Sequence, residues 1–189
     1  MSDQKIRIAV VVASTRKGRF GGTVARWFVE QARQSDVELD VIDLAEIQLP
    51  AVLGGEPTAG VADLTARVGA ADGFVVITCE YNHGYPASLK LAIDSVFDEW
   101  QAKPVAFVSY GGMAGGLRAV EQLRQVFAEL HMVTVRETVS FHMAHSQFDE
   151  HGQPRNAEAV NTAAKTLMNQ LLWWAKVLRD ARAQSPYPA

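Results

Sequence analysis

The stretch IRIAVVVASTRKGRFGGT, residues 6–23, decides the fold of this chain. Its apolar run ends at Ala13, two hydroxyls and three cations follow, and helical spacing of apolar residues begins after Gly21 and Gly22. A nearly continuous apolar run is typical of a strand that is covered on both faces, as in a parallel sheet. The stretch therefore predicts a buried strand, a polar loop and a helix, in that order.

Four more apolar runs follow at residues 38–43, 73–78, 104–110 and 132–141, and the last of them alternates as a half-covered edge strand does. The segments between the runs have helical spacing, including one from Leu89 to Trp100. Because crossovers between parallel strands are right-handed, this alternation predicts a doubly wound α/β fold. We expect a flavodoxin-like parallel sheet of five strands in the order 2-1-3-4-5, with helices on both faces.

Composition limits the classes of protein that the chain can belong to. Its 189 residues, 48% of them hydrophobic, suit a single domain spanning residues 1–189, and we expect residues 182–189 to form a flexible tail. A net charge of -3 offers no basic stripe, so no nucleic-acid partner is expected. The single cysteine fits a reducing compartment, and no apolar run is long enough to span a membrane. We therefore expect a cytoplasmic protein that binds no membrane.

The loop after the first strand has the composition of a phosphate site. In sheets of this type ligands bind at the carboxyl ends of the strands, beside the reversal of strand order. Hydroxyls, guanidinium groups and paired glycines before a helix suit a phosphate, and neither a P-loop nor a dinucleotide fingerprint is present, which favours a single phosphate. The alternative is that Ser14 and Thr23 only cap the helix. The candidate phosphate-binding residues are Ser14, Thr15, Arg16, Arg19, Gly21, Gly22 and Thr23.

The loops after the third and fourth strands suit a flat ring. The stretch CEYNHGYPASLKLAID, residues 79–94, brings polar rings and an amide to a strand end, with Ser88 placed to cap the next helix. The alternative is a simple turn with His83 exposed, and Cys79 is expected to pack as a small apolar residue. In SYGGMAGGLRAVEQLR, residues 109–124, paired glycines let a planar ligand approach the main chain, although a tight turn also explains them.

Three of these stretches together resemble the NADPH-dependent FMN reductase family. They are STRKGR at residues 14–19, EYNHGYPASLKLAID at residues 80–94 and KPVAFVSYGGMAGGLRAVEQLR at residues 103–124. The resemblance implies a flavodoxin-like fold with bound FMN, whose phosphate would lie among residues 14–23. It also implies that Glu80, Tyr81, Asn82 and His83 lie along the isoalloxazine ring, with Ser109, Tyr110, Gly111 and Gly112 near its pyrimidine end. The chain departs from the family at Cys79, where Pro is usual, and at Leu91, where Asn is common.

The same resemblance implies the activity. Hydride would pass from NADPH, with NADH also possible, to flavin N5, and electrons would then pass to a small acceptor such as a quinone, an azo compound or free flavin. The expected cycle is ping-pong and needs no catalytic side chain, because the cofactor carries the chemistry. A homodimer or homotetramer is also implied.

Other classes remain open at this point. The fold is shared by one-electron carriers and by flavin redox sensors, which do not turn over NAD(P)H. A metal-binding or hydrolytic protein would instead use His142, His145, Asp149 and His151 in the stretch SFHMAHSQFDEH. Because that stretch follows a strand and precedes Gly-Gln-Pro, we expect a surface loop without a metal.

Overall fold

The computed structural model of the chain describes residues 5–188, in which five parallel strands form one sheet. Numbered along the chain, the strands lie in the order 2-1-3-4-5, as the sequence predicts, and every neighbouring pair is parallel. The α/β flavodoxin-like fold class is therefore confirmed. The strands are β1 (Ile6–Val12), β2 (Val37–Asp43), β3 (Gly73–Cys79), β4 (Pro104–Tyr110) and β5 (Val133–Phe141).

Helices cover both faces of the sheet, because successive side chains of a strand point to opposite faces. Val10 and Val12 pack in the cluster on one face of the sheet, while Ala9 and Val11 pack in the cluster on the opposite face. All residues of β3 and β4 are buried, as expected for central strands. The helices are α1 (Gly21–Ala32), α2 (Ala59–Ala70), α3 (Ala87–Asp94), α4 (Leu117–Glu129), α5 (Ala144–Gln147) and α6 (Ala157–Gln184), and a 3-10 turn spans Asp98–Trp100.

The helix predicted from Leu89 to Trp100 is shorter in the structure. It ends at Asp94, and the hydroxyl of Ser95 donates a hydrogen bond to the carbonyl of Leu91 at 2.7 Å. The chain then turns, so that the Trp100 ring packs 4.8 Å from the ring of Phe74. Apolar spacing did not detect this break, because Ile93 and Trp100 are buried on either side of it.

The C-terminal segment also differs from the sequence prediction. Helix α6 continues to Gln184, so residues 182–184 are helical and do not belong to a tail. The guanidinium of Arg182 donates to the carbonyl of Ala102 at 2.5 Å, and the ring of Tyr187 packs edge-on against His131. These contacts hold the end of the chain against the body of the domain. In the part of the chain that the structure describes, no helix has the length and apolar character needed to cross a membrane.

Candidate functional site

A cleft of about 590 Å³ opens at the carboxyl ends of β1, β3 and β4. Its volume lies in the range of roughly 300–1,000 Å³ that is typical of small-molecule sites. The structure thus brings together the three loops on which the sequence reasoning depended, and it adds a fourth segment after β5. The lining residues are Ser14, Arg16, Lys17, Gly18, Arg19 and Phe20, then Cys79, Glu80 and Tyr81, then Tyr110, Gly111 and Gly112, and finally Met143, Ala144, His145 and Ser146.

The first two loops are joined at their bases by hydroxyl groups. The buried Ser14 side chain lies 2.8 Å from the phenol oxygen of Tyr81, and either group can donate. The hydroxyl of Ser88 donates to the carbonyl of Ala13 at 2.7 Å. Ser88 therefore does not cap α3 as the sequence suggested, because that helix begins after Pro86 with no side-chain cap. These bonds fix the wall of the cleft between β1 and β3.

The cations of the first loop divide into two kinds. Arg19 also borders the cleft, but its guanidinium forms a two-pronged ion pair with Asp43, at 2.6 and 2.5 Å, at the end of β2. The hydrogen bond with this carboxylate raises the pKa of Arg19, and both side chains are only about one-fifth exposed, at 20% and 18%. Within residues 5–188, no side-chain hydrogen bond or ion pair to protein groups engages Arg16 or Lys17. These two cations, rather than Arg19, are available to a ligand.

The start of α1 packs inward more than the sequence suggested. A Cβ on Gly21 would lie 2.7 Å from the phenol oxygen of Tyr110, so this glycine allows the helix to approach that ring. Helix α1 begins after Phe20 without a side-chain cap, so neither Ser14 nor Thr23 has the capping role considered as an alternative. Three other predicted phosphate-binding residues, Gly22, Thr23 and Thr15, do not line the main cleft. Thr15 lines a second cavity beside it.

The second loop is a tight reversal. The N–H groups of Tyr81 and Gly84 each donate to the other's carbonyl, at 2.9 and 3.0 Å, and the two residues between them have positive φ values. These residues are Asn82 (φ 50°) and His83 (φ 71°), and both are exposed. Asn82 lines the second cavity. His83 lies at the tip of the turn, in agreement with the alternative of a simple turn with His83 exposed. Of the four residues predicted along the ring, only Glu80 and Tyr81 line the main cleft.

The third loop uses its glycines in two different ways. A Cβ on Gly115 would lie 2.6 Å from the Ser140 hydroxyl oxygen, so that glycine serves the turn itself. Gly112 differs, because a Cβ built there meets nothing within 4 Å. The N–H of Gly111 donates to the carbonyl of Phe141 at 3.1 Å and is therefore already engaged within the protein. Ser109 is fully buried, donates to the carbonyl of Gly115 at 2.8 Å and does not line the cleft.

Two phenols and a thiol form the floor of the cleft. Burial raises the pKa of Tyr110 and, by a smaller amount, that of Tyr81. Both rings therefore stay neutral at physiological pH and keep a hydroxyl that can donate or accept a hydrogen bond. Cys79 is a buried free thiol beside them and packs as the small apolar residue that the sequence predicted.

Sequence reasoning missed the fourth wall of the cleft, residues 143–146. The N–H groups of Met143 and Ala144 donate to the carbonyls of Gly112 and Gly111 at 2.8 and 2.9 Å, which attaches this segment to the third loop. The ring of His145 packs 4.7 Å from that of Phe20. A usable signal was present, because the segment directly follows β5 and therefore starts at the same edge of the sheet.

The histidines of this region make contacts with the protein rather than with one another. His142 lies 2.7 Å, through Nδ1, from the carbonyl oxygen of Met113. The carboxylate of Asp149 accepts from the N–H groups of His151 and Gln153, and these backbone hydrogen bonds lower the pKa of Asp149. Across residues 5–188, no three His, Cys, Asp or Glu side chains come together as metal ligands would.

Fold and cleft together define a class of protein. A five-stranded sheet in this order, with a cation-bearing loop after β1 and open main chain after β4, is that of flavodoxin-like proteins, which bind a mononucleotide at this edge. The chain belongs to the NADPH-dependent FMN reductase family, whose sequence model matches residues 6–146. It is therefore an oxidoreductase, with FMN as the cofactor and NAD(P)H as the reductant of its family.

Named relatives agree with this assignment. An NAD(P)H-dependent FMN reductase of Schizosaccharomyces pombe is 36% identical over 136 residues, which cover 67% of this chain and 68% of the relative. A quinone reductase of Escherichia coli K12 is 33% identical over 143 residues, 71% of this chain and 76% of the relative. Among solved structures, the flavoenzyme FerB of Paracoccus denitrificans superposes with a TM-score of 0.74 over 91% of this chain and 98% of its own, at 19% identity. At that identity the likeness supports the fold alone.

Proposed function

We propose that this protein binds FMN in the cleft, takes hydride from NADPH or NADH, and passes electrons to a small acceptor such as a quinone, an azo compound or free flavin. The observation that carries the proposal is the cleft itself, where two unpaired cations of the first loop and the open main chain at Gly112 line one space. This combination suits a ligand with one phosphate and one flat ring.

Individual residues fit separate parts of FMN. Arg16 and Lys17 lie on the loop that leads to the start of α1, where cations and the partial positive charge of a helix favour a phosphate. Tyr81 and Gly112 lie on the two loops that would flank the ring, and the phenol of Tyr81 is fixed by Ser14. These residues would hold the cofactor without any change in the fold.

The protein's part in the reaction is to bind and orient. When bound, FMN supplies the two-electron chemistry, accepting hydride at N5 and releasing electrons to the acceptor. The buried Tyr110 and Cys79 close the floor of the cleft against water. Because burial favours the neutral form of both phenols, each can donate a hydrogen bond to a ligand without a change of charge. Because reductant and acceptor both react with the same flavin, we expect them to enter in turn, in a ping-pong cycle.

Assembly and location are part of the same proposal. Two exposed rings, Phe97 just before the 3-10 turn and Trp173 on α6, support a homodimer or homotetramer, since large exposed apolar side chains favour contact with a partner surface. The single cysteine, buried as a free thiol, supports a cytoplasmic location, where thiols stay reduced.

Anaerobic spectroscopy tests the proposed function. Purified protein loaded with FMN is mixed with NADPH in a stopped-flow instrument, and a quinone is added in a second mixing step. We expect the flavin absorbance to bleach with NADPH and to return with the quinone, and initial rates to give parallel double-reciprocal lines. An FMN-loaded protein that is bleached by dithionite and by neither NADPH nor NADH would instead be an electron carrier or a redox sensor.

A further inference from the structure

Two buried side-chain atoms in the described part of the chain have no hydrogen-bond partner, Oε2 of Glu80 and Nε1 of Trp100. Trp100 packs among aromatic rings of the core, 4.8 Å from Phe74 and 5.8 Å from Phe127. Glu80 instead lines both the main cleft and the second cavity beside it. Its side chain is only 9% exposed. Of the two atoms, the oxygen of Glu80 is therefore the one that a ligand in the cleft can reach.

The position of the Glu80 carboxylate is fixed by an ion pair. Its other oxygen, Oε1, accepts from the guanidinium of Arg118 at 2.5 Å, and Arg118 lies in the first turn of α4. The ion pair joins the second loop to the helix that follows the third loop. Burying a carboxylate oxygen without a donor costs the full desolvation of that atom, so a donor from a bound molecule would satisfy it.

The donor must be an N–H or O–H group. FMN carries two kinds of neutral donor: the hydroxyls of the ribityl chain, which leads to the phosphate, and the N3–H, the single N–H donor of the oxidised isoalloxazine ring. The phosphate of FMN carries negative charge, which repels a carboxylate and favours Arg16 and Lys17. Glu80 lies on the second loop and is anchored to the helix after the third, and these are the two loops that would flank the ring.

We propose that Oε2 of Glu80 accepts the N3–H of FMN and so fixes the orientation of the ring in the cleft. This role rests on the proposed function, since it requires FMN to occupy the cleft. Arg118 acts as a positioning residue, because it holds the carboxylate by Oε1 and leaves Oε2 for the ring. A flavin that lacks the N3 proton should therefore bind poorly.

A comparison of FMN with 3-methyl-FMN tests this contact, because the methyl group removes the N3 donor and keeps the phosphate. Dissociation constants for both flavins are measured by fluorescence quenching with the wild-type apoprotein, Glu80→Gln and Glu80→Ala. Glu121→Gln is the matched control, because it removes the same charge from the exposed face of α4, where the carboxylate is 74% exposed. Proton NMR of FMN labelled with ¹⁵N at N3 gives a second readout, the protection of the N3–H from exchange with water.

We expect wild type and Glu121→Gln to bind FMN at least about tenfold more tightly than 3-methyl-FMN, the factor expected for a hydrogen bond to a charged group. In Glu80→Ala the two flavins should bind alike, and in Glu80→Gln the preference and the N3–H protection should fall. Equal binding of the two flavins by wild type, or an unchanged preference in both Glu80 variants, would overturn the proposal while FMN binding still stood. Failure of the folded wild type to bind FMN at all would overturn the proposed function as well.

Discussion

The buried Lys103 should make the stability of this protein rise with pH above neutrality. Its side chain is 6% exposed, and the ammonium group donates to the carbonyls of Val68 and Gly69, at 2.9 Å each, at the end of α2. Burial lowers the pKa of Lys103 from its ordinary value of 10.5 to about 8, and the charge of Arg182 adds to that effect. Burial of the charged form therefore carries a cost at pH 7.

The sign and size of the effect follow from the two pKa values. Between pH 8 and 10.5 the unfolded chain holds more protons at this lysine than the folded protein does, so the free energy of unfolding rises with pH. A pKa lowered by this much corresponds to about 3 kcal/mol over the whole range. Integration from pH 7 to pH 9.5 gives about 2 kcal/mol of added stability from Lys103.

Urea unfolding measures this contribution. Free energies of unfolding are determined at several pH values from 7 to 9.5 for wild type, Lys103→Met and the control Lys176→Met, whose ammonium group is exposed and pairs with Asp180. Subtraction of the Lys103→Met curve removes the titration of all other groups. The difference should grow by about 2 kcal/mol with rising pH, and the control should follow wild type. A difference that stays flat across this range would refute the reasoning.

Three further predictions concern the cleft and the residues beside it. Arg16→Ala should weaken FMN binding about tenfold in isothermal titration, because it removes a cation that has no protein partner. Arg19→Ala should instead lower the free energy of unfolding by about 1–3 kcal/mol, because Asp43 is left partly buried without its ion pair. If Arg19→Ala lost more FMN affinity than Arg16→Ala, this division of roles would be contradicted. Gly112→Val should reduce flavin loading by filling the open approach to the main chain, whereas Gly55→Val, at an equally open loop position, should load normally. Full loading of the Gly112 variant would mean that no ring lies at that position.

The sheet could be predicted because its signal is local and repeated. Strands β3 and β4 are buried along their whole length and β1 along most of it. Their nearly continuous apolar residues therefore predict buried strands. Once the strand order follows from the alternation of strands and helices, three loops must meet at one edge. Ser14, Arg16 and Tyr81 lie on these loops and line the cleft, and their contact with FMN stays a prediction.

The remaining parts of the site depend on contacts between distant segments. Arg19 lies in the predicted phosphate loop, but a carboxylate 24 residues further on, Asp43, determines where its guanidinium points. Ser109 lies at a strand end that should face a ligand, but its hydroxyl is bonded to the carbonyl of Gly115. Residues 143–146 reach the cleft because their backbone bonds to that of the third loop. None of these partners can be read from the residue types alone.

The hydrogen bonds that join the loops have a consequence for the apoprotein. Ser14 with Tyr81, and Ser88 with Ala13, connect two walls through protein groups only, so these bonds persist when the flavin leaves. Such pre-organisation lowers the entropy lost when a ligand docks. FMN can therefore exchange without refolding of the site, and added flavin should raise the melting temperature only as mass action requires.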